Sequence, residues 1–343
     1  MTIEKPRPTI DLVAEKAKVS KATISRFLNG RFEHMSDKTR IRIQRVIDEM
    51  DYRPSRFARS LKSNKTGLIG VIIADISTPF SSILVKGIED LCSERGYQII
   101  IASANEDPER ERAAIRSMID GNMVEGLIVN TTGYNHDFLV EMAGRGIPMV
   151  LVARAMEDLL FDTVTNDNYS ITWKMLSHLE NSGFQRVAFF TEAVGASSSQ
   201  RTRLEAYMDF CDRDGHNPQY VYPLDLKDQS AINTAITSFL NSGESGPKAI
   251  FAYNGVTVLR VLVSIGELGL TIPEDVGVCC IDDWEWLVLS RPGITAAAVP
   301  TYEEGVVAAK RVIARIKGTK SKPRMIELPS VLNVRGSTQL SRN

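Results

Sequence analysis

The stretch Val19-Ser20-Lys21-Ala22-Thr23-Ile24-Ser25-Arg26-Phe27-Leu28-Asn29-Gly30 encodes a short amphipathic helix together with both of its ends. Ser20 offers a hydroxyl to the free N–H groups of the first turn, Ile24, Phe27 and Leu28 share one side, and Asn29-Gly30 stops the helix. Upstream, Ile10, Val13, Ala14 and Ala17 repeat at helical spacing behind a capping Thr9, and Lys18-Val19 leaves room only for a tight turn. Downstream, Ser36 opens a third helix carrying Ile43, Val46, Ile47 and Met50 inward. Two short helices joined by a turn of about three residues, with a third closing the core, predict a helix-turn-helix domain. A plain three-helix bundle with a charged face is the alternative, and it leaves the agreement of caps, turn and stop unexplained.

On the second helix Lys21, Ala22, Ser25 and Arg26 point away from the apolar stripe. Arg26 can donate two parallel hydrogen bonds to a guanine edge, Lys21 can reach guanine or phosphate, and Ala22 can touch a thymine methyl. Charge agrees. The chain's formal net charge is -1, but residues 1–65 hold 16 Lys/Arg against 8 Asp/Glu, and the remainder holds 25 against 34. A basic head on an acidic body suits a polyanion, because each phosphate neutralised releases condensed counterions.

These segments resemble the signature of the lactose-repressor (LacI/GalR) family, carried here by Thr9–Ala14, Val19–Gly30 and Tyr52-Arg53-Pro54-Ser55-Arg56-Phe57-Ala58-Arg59-Ser60-Leu61. The resemblance implies a dimer on a pseudopalindromic DNA operator. It places Lys21, Ala22 and Arg26 at base-reading positions and Thr23 and Thr39 at phosphate contacts, with Thr9, Ser20, Ser25, Asn29, Ser36 and Tyr52 in the same DNA-binding set. It also implies that Ser55 to Leu61 is a hinge helix ordered on DNA, with Ala58 and Leu61 on one face and Leu61 wedged between base pairs. Ser55, Phe57 and Lys18 depart from the family's usual asparagine, valine and turn glycine.

Beyond the hinge, apolar runs at Gly67–Ala74, Tyr97–Ala102, Gly126–Asn130, Pro148–Ala153, Arg186–Thr191, Lys248–Tyr253 and Val276–Ile281 alternate with helical stretches. Such alternation predicts parallel sheets covered on both faces. The expected fold is therefore α/β: an all-α helix-turn-helix domain (1–53), a hinge and linker (54–65), and a body (66–343). The body resembles a type I periplasmic-binding protein with two doubly wound subdomains. The expected lobes are roughly 66–165 with 299–322 and 166–298 with 323–340.

Ligands of doubly wound sheets bind at the carboxyl ends of strands. Polar residues cluster at those ends: Asp75 to Phe80, Arg154, Asn166-Asp167-Asn168 between the lobes, Arg201 and Arg203, Asn254, and Asp282-Asp283-Trp284. Asn and Asp exchange hydrogen bonds with hydroxyls, aromatics stack on sugar-like rings, and arginine clamps carboxylates. The family resemblance puts Arg203, Asn254 and Asp282 at effector-contacting positions and Phe80 and Tyr302 on the pocket wall. The expected effector set is Asp75, Phe80, Arg154, Asp167, Arg203, Asn254, Asp282, Trp284 and Tyr302.

Ala153 and Gly255 replace acidic residues common among sugar-binding members. Asp282-Asp283-Trp284-Glu285-Trp286, Pro292–Thr295 and Pro300–Gly305 look similar to regulators of ketodeoxygluconate and hexuronate use. A sugar acid or keto sugar acid is the favoured effector, with a neutral sugar the alternative, and induction and co-repression are both open.

Other classes fit poorly. Cys92, Cys211, Cys279 and Cys280 form no CxxC, and His34, His136, His178 and His216 form no zinc or nucleophile arrangement. No GxGxxG, P-loop or GxSxG is present, so neither a catalytic group, a cofactor nor a metal is expected. A transport receptor would share the body but needs a secretory signal, and the N-terminus Met1–Pro6 has no apolar stretch; a cytoplasmic protein without membrane contact is expected. The outer helix Ser81–Glu94 is the expected dimer surface, and Ser337–Asn343 lacks a leucine heptad for tetramerisation.

Overall fold

The computed structural model describes residues 8–52, 66–121, 123–213, 220–243 and 246–340. The chain divides into two compact units, Met1–Thr66 and Gly67–Asn343.

In the first unit, α1 (Ile10–Lys16), α2 (Lys21–Leu28) and α3 (Asp37–Glu49) begin behind hydroxyl caps. Thr9 accepts from the Leu12 N–H, Ser20 from Thr23 and Ser36 from Thr39. The three helices bury Val13, Ala17, Ile24, Ile43 and Val46 together. In the turn between α1 and α2, Lys18 sits at φ 51°. An L-residue pays about 1–2 kcal/mol for that left-handed backbone, which explains why a glycine is the easier occupant. The segment before α3 is anchored by Phe32, whose ring meets Phe27 edge-on at 5.8 Å and lies 4.1 Å below the Arg40 guanidinium.

The second unit holds two sheets of six strands. The first has the order β11-β5-β4-β3-β1-β2 and the second β12-β10-β9-β8-β6-β7. In the first, β1 (Leu68–Ile73), β2 (Gln98–Ser103), β3 (Gly126–Val129), β4 (Met149–Val152), β5 (Asp162–Asn166) and β11 (Met325–Leu328) run parallel. Helices α4 (Pro79–Glu94) and α11 (Thr301–Ile316) pack on one face, and α5 (Pro108–Asp120) and α6 (His136–Gly144) on the other.

The second sheet contains β6 (Arg186–Glu192), β7 (Val221–Leu224), β8 (Lys248–Ala252), β9 (Gly277–Ile281) and β10 (Thr295–Ala298), all parallel, with β12 (Val331–Asn333) antiparallel at its edge. Helices α7 (Asn168–Asn181) and α8 (Ser198–Asp212) cover one face, and α9 (Gln229–Leu240) and α10 (Gly255–Glu267) the other. The apolar strand runs form these cores because β3, β4, β8 and β9 are buried along their whole length.

One expected boundary moves. Met325–Leu328, assigned by sequence to the second lobe, pairs with Asp162–Asn166 and completes the first sheet. Its half-exposed edge position gives no apolar run to read. The chain therefore passes between lobes at Asn166–Asn168, at Val299–Thr301 and at Pro329–Ser330. The strand β5 is itself buried yet polar, because Asp162 accepts from Arg311 and Arg315 of α11, each at 2.8 Å.

Candidate effector cleft and DNA-contact face

In the first unit α2 presents the expected face. Ala22 and Arg26 are exposed, and Arg26 has no ion-pair partner among the described residues. Lys21 is instead engaged by Asp11 on α1, so a DNA contact by Lys21 would compete with an exposed intramolecular pair. Thr23 and Thr39 each share a hydrogen bond with the capping serine three residues earlier, at 2.9 Å. Ser25 is half-buried, and the Asn29 amide donates to the Ser25 carbonyl at 2.8 Å, tying off the end of α2. Tyr52 is buried against the three-helix core, so its ring serves packing. Ser55, Ala58 and Leu61 lie outside the described residues.

In the second unit a cleft of about 610 Å³ opens between the two sheets. Asp75, Phe80, Arg154, Arg203, Asn254, Asp282 and Trp284 line it together, as the strand-end argument expects. Each polar member is held. Asp75 accepts from the Ser77 N–H and hydroxyl, both at 2.9 Å, closing the loop that launches α4. Asn254 caps α10 by accepting from Thr257 N–H at 2.8 Å. The Arg154 guanidinium grips Glu106 with two bonds of 2.8 and 2.6 Å and also reaches the Thr131 carbonyl.

Arg203 is the deepest cation of the cleft, 7% exposed. Its Nε donates to Asn168 and its Nη1 to the Tyr253 carbonyl, both at 2.8 Å. A guanidinium has five N–H donors, and these two hydrogen bonds fix its place in the wall of the cleft. Asp282, also buried, takes a left-handed backbone at φ 75° and accepts from Gly255 N–H at 3.2 Å. Burial pushes its carboxyl above the usual range, against the opposing pull of Arg203 and the Gly255 N–H. Glu106 and Ala153, also cleft residues, share the left-handed conformation at φ 56° and 63°. Backbone strain of this kind concentrates at binding sites, where surrounding contacts hold it.

Two expected members are elsewhere. Asp167 leads into α7 and accepts from Ser330 N–H at 2.8 Å, binding one interlobe passage to another. Tyr302 faces outward and donates to Asp90 of α4 at 3.0 Å. The reason is helical period: Thr301, Glu304, Gly305 and Ala308 point inward from α11, which leaves position 302 outside. Arg201 donates to the Ala196 carbonyl beside a separate, smaller cavity, and Asp283 is consumed by two bonds from Arg335.

Sequence reasoning passes over Glu106, Glu192, Gln200, Tyr253 and Trp286, which also line the cleft. Glu106 stands in a loop with no strand-end signal of its own, and Tyr253 reads as the end of a buried strand. The Tyr253 hydroxyl donates to Glu192 at 2.8 Å, and burial drives its ionisation far above the normal tyrosine range.

A basic three-helix headpiece followed by a two-lobed receptor with a polar, tryptophan-walled cleft defines a ligand-responsive DNA-binding regulator. The family pattern described as "Bacterial regulatory proteins, lacI family" matches residues 9–55, and "Periplasmic binding protein-like domain" matches residues 176–338. The chain is 38% identical over 330 residues to the HTH-type transcriptional regulator KdgR of Bacillus subtilis, covering 96% of this chain and 97% of that one. It is 38% identical over 332 residues to the regulator PtxS of Pseudomonas aeruginosa, covering 97% and 96%. Among solved structures, the Lac repressor bound to ONPG in its repressed state superposes with a TM-score of 0.83 at 25% identity, over 97% of this chain and all of that one. The chain belongs to the LacI family, and it is a DNA-binding transcriptional regulator, not an enzyme. Among the described residues no helix is long and apolar enough to cross a membrane.

Proposed function

We propose that this regulator represses a carbohydrate or sugar-acid catabolic operon, binding a pseudopalindromic operator as a cytoplasmic homodimer and leaving it when a sugar acid or keto sugar acid fills the cleft. The observation that carries the effector class is Arg203: a buried guanidinium that lines the cleft Trp284 walls, positioned by two hydrogen bonds and in no ion pair among the described residues. Arg154 is already neutralised by Glu106, which leaves Arg203 to meet a ligand carboxylate. Asp75, Asn254 and Asp282 can then take the hydroxyls, and Trp284 one apolar face of the sugar.

The dimer surface on this reading includes α4, where Ile83 is exposed. The hinge role of Ser55, Ala58 and Leu61 rests on the family resemblance alone. Ligand coupling to DNA requires only that the effector prefer one lobe arrangement, with about 1–3 kcal/mol of coupling as the usual scale.

A neutral sugar is the second reading. It is favoured by the four carboxylates, Asp75, Glu106, Glu192 and Asp282, that line the same cleft. Calorimetric titration of the full-length protein with matched pairs of sugars and their acids separates the two, with operator binding followed by fluorescence anisotropy. Tight binding of the acid with loss of operator affinity supports the proposal. Tight binding of neutral sugars alone overturns it, and tighter operator binding with ligand overturns the induction logic.

A further inference from the structure

The acidic body carries one strongly basic run. Residues 310–324 hold seven Lys/Arg and no Asp/Glu. Two of the seven, Arg311 and Arg315, turn inward to Asp162 and hold α11 to β5. The other five, Lys310, Lys317, Lys320, Lys322 and Arg324, are exposed and in no ion pair among the described residues.

Four of these five stand on the loop between α11 and β11, and that loop is built, not slack. Gly318 ends the helix at φ 92°, and the Thr319 N–H reaches back to the Ala314 carbonyl at 3.1 Å. From inside, the Arg315 guanidinium donates to the Thr319 carbonyl at 3.2 Å and to the Ser321 carbonyl at 2.6 Å. At the far end the Arg324 N–H donates to Asp162 at 3.2 Å and its carbonyl accepts from the Thr163 N–H at 3.0 Å. The main chain is thus fastened to the lobe while Lys317, Lys320, Lys322 and Arg324 are left exposed.

The loop lies at the amino-terminal edge of the first sheet, where the chain enters the body. Ile316 packs at Gly126, the first residue of β3, and Gly126 pairs with Ile69 in the first turn of the chain through β1. Other charges at this edge are already matched: Arg95 with Glu94, Arg145 with Asp120, and Glu125 with the Gly67 N–H. The surplus there is cationic. DNA held by the first unit is joined to this edge by residues 53–66, at most about 50 Å at full extension, so a duplex and its flanks come within reach of the loop.

We propose that the Lys317–Arg324 loop is a second, sequence-independent DNA contact, gripping backbone phosphates that flank the operator. Lysine ammoniums on a fastened loop can neutralise phosphates without reading bases, and each phosphate neutralised releases condensed counterions. A polyanion is the fitting partner because the surplus is of one sign and sits on an otherwise acidic body.

The test compares the full-length protein with a variant carrying Lys317→Gln, Lys320→Gln and Lys322→Gln together. The probe is an operator recovered by selection from random-sequence duplexes, made in two lengths: one trimmed to the half-sites and one with about ten extra base pairs on each side. Anisotropy titrations across a salt series give affinity and slope. On the longer duplex the variant should bind at least about tenfold more weakly and show a salt dependence flatter by about two units of slope or more. On the trimmed duplex it should match wild type, and its ranking of single-base operator variants should be unchanged. Its melting temperature should stay within about 2 °C of wild type, because the three side chains are exposed. Equal slopes for the two proteins on the longer duplex overturn the proposal. An equal loss on both lengths overturns it too, since a diffuse change in the protein's field acts regardless of flanks. Unchanged DNA binding with lost adhesion to phosphatidylserine vesicles assigns the loop to a lipid surface and rejects the DNA contact.

Discussion

The Trp284 indole lies against the backbone of Gly255 so closely that a Cβ atom there would come within 2.8 Å of three ring atoms. The same glycine donates its N–H to Asp282. The absence of a side chain at 255 is thus the counterpart of the tryptophan at 284, and the departure from the family's common aspartate has a steric cause.

Gly255→Ala should push Trp284 out of the cleft wall and loosen Asp282. Overpacking of this kind costs about 1–3 kcal/mol, and most of it should appear in effector binding. We expect at least about a tenfold loss of ligand affinity by calorimetry, a shift in tryptophan emission, and operator affinity without ligand close to wild type. Unchanged ligand binding would show that Trp284 has no part in the site.

Burial of Asp162 must be offset before it can stabilise anything, and the hydrogen bonds from Arg315 and Arg311 outweigh it, holding the carboxyl below the usual range. A depressed folded-state pKa gives stability that is present above the unfolded value, near 3.8, and is lost as pH falls through the folded one. Removing one member of a buried pair costs about 3–5 kcal/mol. Asp162→Asn should therefore melt well below wild type at pH 7, and the gap should narrow below pH 4. A constant gap across that range in calorimetric scans would mean that packing, not charge, holds α11 to β5.

Glu304 has the opposite sign. Its folded pKa, about 8, stands above the unfolded value of 4.5, so the folded state binds the extra proton and stability falls as pH rises from roughly 4.5 to 8. Glu304→Gln removes that penalty. The variant should gain on the order of 5 °C in melting temperature over wild type at pH 9 and little at pH 5. A gain of equal size at both values would trace to packing and not to the proton.

Most of the architecture is legible in the sequence because its signals are local. The hydroxyls of Thr9, Ser20 and Ser36 mark helix starts, and runs such as Met149–Val152 in β4 are apolar on both faces. The residues that escape such reading depend on long-range pairing. Strand β5 reads as polar because Asp162 is neutralised by arginines that lie far along the chain, on α11, and β11 is an edge strand without an apolar run. In the cleft, strand ends are legible but facing direction is not: Tyr302 and Asp167 sit beside the site yet point away from it. Glu304 gives no signal at all, since a charged residue in a helix is normally read as solvent-exposed.

The DNA face offers the last test, because Lys21 and Arg26 differ in what they must give up. Lys21 is paired with Asp11, whereas Arg26 is exposed with no ion-pair partner among the described residues. If Arg26 makes a bidentate contact to one guanine, Arg26→Ala should relax preference at a single operator position by about 1–3 kcal/mol and leave other positions unchanged. Asp11→Ala should instead free Lys21 and raise affinity for operator and random DNA alike, steepening the salt dependence by about one unit of slope. Anisotropy titrations over a set of single-base operator variants at several salt concentrations measure both. An equal loss for Arg26→Ala on every sequence would make it a phosphate contact, and no gain for Asp11→Ala would mean that the Lys21 pair survives on DNA.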